Sequence, residues 1–190
     1  LALGTPEIIG KVAHDKNVEC LSVANKLVKK IHHGKANCLV YRPLAGGLTS
    51  LRMKIFSDAS WGNMPGMKSQ SGQLFALSTA KETGTFTANV IHWRSNRIKR
   101  VVRSTFAAET LSAVDAADHG VAARAMIQEW VNSGPDSIPI ELFTDCRSLK
   151  DASDAIAPRA LEKRLEMDLI SLKEVLSEGL IACITWIPPA

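Results

Sequence analysis

Three acidic residues stand where the local sequence could hold a carboxylate both rigid and accessible: Asp58, Glu109 and Asp145. Asp58 ends the alternating run Met53-Lys54-Ile55-Phe56-Ser57, and Gly62, Asn63, Pro65 and Gly66 follow it closely. A period of two predicts a strand. Strand interiors disfavour Asp, so the expectation is a carboxylate at a strand end, facing a sharp turn. Asp145 ends a second short apolar run, Ile138-Pro139-Ile140-Glu141-Leu142-Phe143-Thr144, ahead of polar residues that can start a helix. Glu109 follows Ala107 and Ala108 in the expected first turn of a long helix, where small neighbours let a helix end approach a sheet. Each acid also has a purely structural reading: a strand-ending Asp caps a turn, and the helix dipole favours an early Glu. Two strand-end acids and one helix-start acid can nonetheless meet at one point. Such a cluster repels itself unless divalent cations neutralise it, and oxygen-only ligands favour Mg²⁺ or Mn²⁺. Two such ions can activate water and stabilise the leaving oxygen in attack on a phosphodiester.

The elements that must position these acids follow from periodicity. Pro6–His14 reads as a short helix with Pro6 in its first turn. Val18–His33 reads as a stronger one: Leu21, Ala24, Leu27, Val28 and Ile31 at helical spacing, Lys26, Lys29 and Lys30 on the other faces, and Gly34 as the stop. Cys38–Tyr41 is expected as a short strand and Pro43–Ser50 as a Gly-rich linker. The domain boundary is placed there, dividing residues 1–50 from residues 51–190. After the Asp58 strand, Gln73–Ser78 and Phe86–Trp93 read as two more strands joined by a hairpin near Gly84, an antiparallel meander. A basic stretch with Arg94, Arg97, Lys99, Arg100 and Arg103 leads to Ser104 or Thr105, a plausible N-cap. It should lie near the acidic residues and contact phosphates. A long Ala-rich helix from Phe106 to about Val131 follows, with Leu111, Val114, Val121, Ala125, Met126 and Ile127 expected on its buried side. Then come the Asp145 strand, a helix from Ser148 to about Ile156, a helix from about Ala160 to Ser177 and a last strand over Leu180–Ile187. The order βββαβααβ predicts an α/β or α+β domain built on a mixed sheet.

Composition bounds the chain without choosing a chemistry. At 190 residues, with 46% hydrophobic and 22% charged, it can bury one good-sized core. No apolar run approaches the roughly 20 residues of a membrane span. Cys20, Cys38, Cys146 and Cys183 have no paired spacing, which argues against a zinc site or a disulfide framework and for a reducing compartment. The net charge of +4 is compatible with a polyanionic partner. The first residue is Leu1, so the chain reads as a piece of something longer.

Five short blocks then carry a resemblance. Phe56-Ser57-Asp58-Ala59-Ser60-Trp61, Lys68-Ser69-Gln70-Ser71-Gly72, His92-Trp93-Arg94-Ser95, Ala108-Glu109 and Phe143-Thr144-Asp145-Cys146 occur in the order they take in the ribonuclease H domain of copia-type retrotransposon polyproteins. The resemblance covers about residues 52–190. The preceding segment, with Ala24-Asn25-Lys26-Leu27-Val28-Lys29-Lys30, resembles the C-terminal tail of the reverse transcriptase, and no Tyr-x-Asp-Asp polymerase motif is present. The resemblance implies a ribonuclease H-like fold and cleavage of the RNA strand of RNA–DNA hybrids during reverse transcription. It implies Asp58, Glu109 and Asp145 as catalytic and metal-holding residues and two Mg²⁺ ions that Mn²⁺ can replace; the position of the basic stretch just before the Glu109 helix places Arg94, Arg97, Arg100, Arg103 and Ser104 on the substrate. Its partners would be the hybrid and the rest of the polyprotein, without a membrane, in the cytoplasm, an intracellular particle or the nucleus. The family's fourth acid follows a segment matched by Trp186-Ile187-Pro188-Pro189, so it is expected beyond Ala190. Asp168 and Glu166 fall one element too early and read as surface charge. No histidine follows Asp145. Two other readings stay open: an inert module that grips nucleic acid without cutting, and a recombinase or integrase core with the same acidic logic.

Overall fold

The computed structural model describes residues 17–34, 38–79, 86–132, 134, 138–155 and 163–188. The chain divides into two compact units, Leu1–Tyr41 and Arg42–Ala190. In the first, α1 (Val18–His33) has the bounds its periodicity predicts. The Asn17 side chain caps it by accepting from the Cys20 N–H, and Gly34 ends it. Its expected apolar stripe is not buried: Leu21, Val28 and Ile31 are exposed, and Cys20 is the buried residue. The helix expected over Pro6–His14 lies outside the described residues. Cys38–Tyr41, expected as a strand, has no regular structure.

The second unit is a mixed sheet in the order β3-β2-β1-β4-β5, and its chain order is the expected βββαβααβ. The strands are β1 (Arg52–Met64), β2 (Lys68–Ser78), β3 (Asn89–Arg97), β4 (Ile140–Thr144) and β5 (Cys183–Trp186). The first three form the expected antiparallel meander, and β4 and β5 join β1 in parallel. The helices are α2 (Thr105–Trp130), α3 (Arg147–Asp154) and α4 (Lys163–Ser177). The hairpin expected near Gly84 lies outside the described residues.

Several boundaries differ from expectation: β2 starts five residues earlier than Gln73, β5 is shorter at both ends, and three further differences bear on the site. β1 does not stop at Asp58 but runs on to Met64, because its antiparallel partner β2 continues to pair with it through Ser60 and again at Met64. Gly62 (φ 63°) sits where the register shifts, so it bends the hairpin instead of ending the strand. β3 begins at Asn89 and extends to Arg97, which places Arg94 and Arg97 on an edge strand and not on the connection to α2. The long helix starts at Thr105, so Glu109 lies just past the first turn.

The buried side of α2 also departs from the expected one. Ile127 is buried as expected, but so are Ala108, Ser112, Ala113, Ala116, Ala117, Gly120 and Arg124, whereas Ala125 and Met126 are exposed and Leu111, Val114 and Val121 only half-buried. Small residues win because the helix approaches the sheet closely. A Cβ on Gly120 would stand 2.3 Å from Ile55 Cδ1, and Ile55 is fully buried. Gly120→Ala gains helix propensity of about 1 kcal/mol, but overpacking costs about 1–3 kcal/mol. A net loss of thermal stability is therefore expected, with recovery in the double variant Gly120→Ala/Ile55→Val, which deletes the clashing methyl. A calorimetric Tm series over the three proteins checks it.

On the sheet, Lys54 is fully buried beside Glu141, its register partner on β4. Its Nζ lies 2.7 Å from Glu141 Oε2 and 4.4 Å from the centre of the Phe86 ring, while Arg52 Nε reaches Glu141 Oε1 at 2.5 Å. A cation so enclosed needs both a counter-charge and hydrogen-bond partners, and this carboxylate provides them.

Candidate metal centre

The parallel register of β1 and β4 places two of the acids side by side. Ser57 pairs with Thr144, so Asp58 and Asp145 are the next residues along the two neighbouring strands, which are spaced roughly 4.8 Å apart. β4 ends at this step, and Asp145 enters the turn that starts α3. Thr144 Oγ1 accepts from Cys146 N at 3.1 Å, and Trp186 Nε1 on β5 donates to the Asp145 carbonyl at 2.9 Å, so the turn is held from two sides.

α2 brings the third acid. Ser112 lies against Ser57, and Gly120 lies against Ile55, so the helix runs antiparallel to β1 and its early turns reach the carboxyl edge of β4. Ser104 caps the helix by accepting from Ala107 N at 3.1 Å, as its position before the Ala-rich run predicts. Glu109 Oε1 accepts from the Ala59 N–H at 3.2 Å. One ligand oxygen from each of Asp58, Glu109 and Asp145 lies within 4.8 Å of the others, with Asp58 and Asp145 exposed and Glu109 buried.

The electrostatics follow from this geometry. Burial pushes the Glu109 carboxyl up to about 8, the Asp58 charge adds to the rise, and the Ala59 N–H opposes it. Burial also raises Asp58, with the neighbouring Asp145 charge acting in the same sense. Among the described residues, no hydrogen-bond partner meets the buried Glu109 Oε2, a costly position for a carboxyl oxygen. An unpartnered acceptor inside a cluster of three carboxylates is compatible with a divalent cation, whose charge would relieve the repulsion and satisfy that oxygen. Burial pushes the Cys146 thiol up from its ordinary value, which disfavours the nucleophilic thiolate form.

The basic residues expected on the substrate have mixed fates. Arg100 Nη1 donates to both carboxylate oxygens of Asp168, at 2.9 and 2.8 Å, which makes Asp168 a partner of the basic stretch and not a member of the acidic cluster. Arg94, on β3, lies 3.4 Å from Asp115 and also contacts His119. Arg97 and Arg103 are exposed and pair with no described carboxylate. The connection from β3 to α2 is tied to β1 by Trp61 Nε1, which donates to Val102 O at 3.1 Å. Arg100 and Arg103 share a cleft of about 540 Å³ with Lys163 and Arg164 of α4, beside Ala107 and Leu111 of α2. Nothing in the local sequence marked Lys163 and Arg164, because the fold joins them to a stretch about 60 residues earlier.

A mixed sheet with three carboxylates converging at the carboxyl edge of one parallel strand describes a candidate divalent-metal site on an α+β fold. No family model and no curated relative matches the chain. Among solved structures, it is similar to a ribonuclease H1 isolated from compost, at 15% identity over 72% of this chain and 84% of that one, with a TM-score of 0.48. The N-terminal ribonuclease H domain of a Mycobacterium tuberculosis protein is similar at 13% identity over 73% and 83% of the two chains, with a TM-score of 0.46. A foamy viral protease–reverse transcriptase, solved with an RNA/DNA hybrid, matches 81% of this chain and 20% of its own at 13% identity and a TM-score of 0.48. None of these likenesses assigns a chemistry to this chain, which has to come from its own carboxylates. No described helix is long and apolar enough to cross a membrane.

Proposed function

We propose that this chain is a divalent-metal-dependent ribonuclease that cleaves the RNA strand of RNA–DNA hybrids. The observation that carries the reading is the convergence of Asp58, Glu109 and Asp145 with the buried, unpartnered Glu109 Oε2 among them. These three would hold Mg²⁺, with Mn²⁺ as a substitute, since an all-oxygen donor set suits hard cations. Such ions, when bound, supply Lewis acidity to a phosphodiester and to water. The protein's own part is to keep the three carboxylates converged. Glu109 must give up its proton when a cation binds, and the exposed edges of Asp58 and Asp145 leave room for a phosphate. Arg103, Lys163 and Arg164, with Arg94, Arg97, Arg100 and Ser104, would meet the backbone phosphates of the hybrid. RNA would be told from DNA by its 2′-hydroxyls, accessible in the shallow minor groove of an A-like duplex.

The five sequence blocks support an origin in a copia-type retrotransposon polyprotein, with residues 1–50 a remnant of its reverse transcriptase and residues 51–190 the nuclease domain. The test is cleavage of an end-labelled hybrid in Mg²⁺ and in Mn²⁺, with duplex DNA as control. Binding without cleavage in either metal would favour the inert gripping module. For the cationic cleft, Arg103→Ala with Lys163→Ala should weaken hybrid binding and flatten the dependence of log K on log salt by about one unit per lost phosphate contact. An unchanged slope would assign both residues to ordinary surface charge.

A further inference from the structure

Ser112, one turn beyond Glu109 on α2, is only 1% exposed yet bonds three groups at once. Its Oγ lies 3.0 Å from the Asp58 carbonyl, 2.9 Å from Ser57 Oγ and 2.7 Å from Ser71 Oγ. A serine hydroxyl has one hydrogen and two acceptor sites. The carbonyl can only accept, so the Ser112 hydrogen goes to Asp58 O, and Ser57 and Ser71 both donate to Ser112. That assignment saturates the Ser112 hydroxyl and fixes the direction of every bond around it.

The peptide group between Asp58 and Ala59 is thereby gripped at both ends from one helix: Ser112 donates to its carbonyl and Glu109 accepts from its N–H. From this geometry we infer that Ser112 is a positioning residue, which fixes the Asp58–Ala59 peptide against α2 and through it sets the Asp58 carboxylate in the acidic cluster. The inference deepens the metal-site reading and rests on it for its consequence. Without the Ser112 bond, β1 still pairs with β2 at this step, but nothing on the helix side holds the carbonyl. Among the described side-chain bonds, the Ser71 hydroxyl meets the metal residues only by way of Ser112, so its loss should leave the clamp in place.

The experiment compares Ser112→Ala with Ser71→Ala, which removes a hydroxyl of similar burial from the same cluster. Two quantities are read on folded, chelator-treated protein: hydrogen exchange of the Ala59 amide, and the Kd for Mn²⁺ by calorimetry. Ser112→Ala is expected to speed Ala59 exchange and to weaken Mn²⁺ binding about tenfold, the loss typical of removing an outer partner of a metal ligand. Ser71→Ala should leave both close to the unmodified protein. Equal effects of the two variants, or a Ser112→Ala protein with unchanged exchange, would overturn the inference. If the unmodified protein binds no Mn²⁺, the metal-site reading falls, and the exchange arm still decides whether Ser112 clamps the peptide. Should Ser112→Ala fail to fold, Ser112→Cys keeps the volume with a weaker donor, and the same direction of change is expected.

Discussion

Asp58→Asn or Asp145→Asn should lower the rate of hybrid cleavage by at least about a hundredfold, the upper end of what losing a mere outer partner of a metal ligand costs. The substitution keeps the shape of the side chain and one oxygen, but removes the charge that holds a cation. Both carboxylates are exposed, so neither change empties a packed space or strands a buried group. Folding should therefore be preserved, and removing one of the two neighbouring aspartate charges relieves the repulsion between them. Hybrid binding in chelator should be unchanged or slightly tighter, because phosphates then meet one fewer like charge. The split between lost cleavage and retained binding is what a metal-holding role predicts. Single-turnover cleavage in Mg²⁺, set beside an equilibrium binding curve in chelator, measures both. Asn variants that cut at close to the unmodified rate would remove Asp58 and Asp145 from the chemistry.

Glu109→Gln should produce effects of opposite sign on stability and on activity. Glu109 holds its proton up to about 8 in the folded chain, against an ordinary 4.5. Between those two values the folded protein binds a proton that the unfolded chain has released, so folding stability falls as pH rises through this window and levels off above it. Below 4.5 both states are protonated and the site carries no such penalty. Gln abolishes the titration while still offering an oxygen to the Ala59 N–H. In chelator, the Tm difference between Glu109→Gln and the unmodified protein should be small at pH 5 and reach several degrees in favour of Gln at pH 9, at roughly 2–4 °C per kcal/mol for a chain of this size. Divalent cations should raise the Tm of the unmodified protein at pH 9 and have little effect on Gln, which should not cleave. Because a cation must displace the Glu109 proton, its Kd should tighten as pH rises toward 8. A Tm difference that does not vary with pH would show that Glu109 titrates normally.

These expectations depend on a site whose parts were legible to different degrees. The acids were readable because each carries a local signal: an apolar run that ends in Asp, or a Glu following two alanines after a capping Ser. The element order and the span of α1 were readable for the same reason, since periodicity, caps and glycine stops act within a few residues. The end of β1 was not, because a strand lasts as long as its neighbour pairs with it, and β2 outweighs the local glycines. The buried face of α2 was legible only at Ile127, because large apolar residues mark a core-facing stripe only when the gap is wide. Here the helix sits so close to β1 that alanines, Ser112 and Gly120 are the residues that fit.

The most distant partnerships had no local trace. Arg100 meets Asp168 across 68 residues, and Ser112 meets Ser71, Asp58 and Ser57 across 41, 54 and 55. Such bonds depend on the sheet's register and on the angle at which α2 crosses it, and neither is written in any short stretch of chain. The amino-acid order alone therefore supplied the three carboxylates and the elements that carry them. Their spacing, the raised Glu109 carboxyl and the clamp on the Asp58 peptide came from packing, because burial and long-range hydrogen bonds exist only once the helix lies on the sheet.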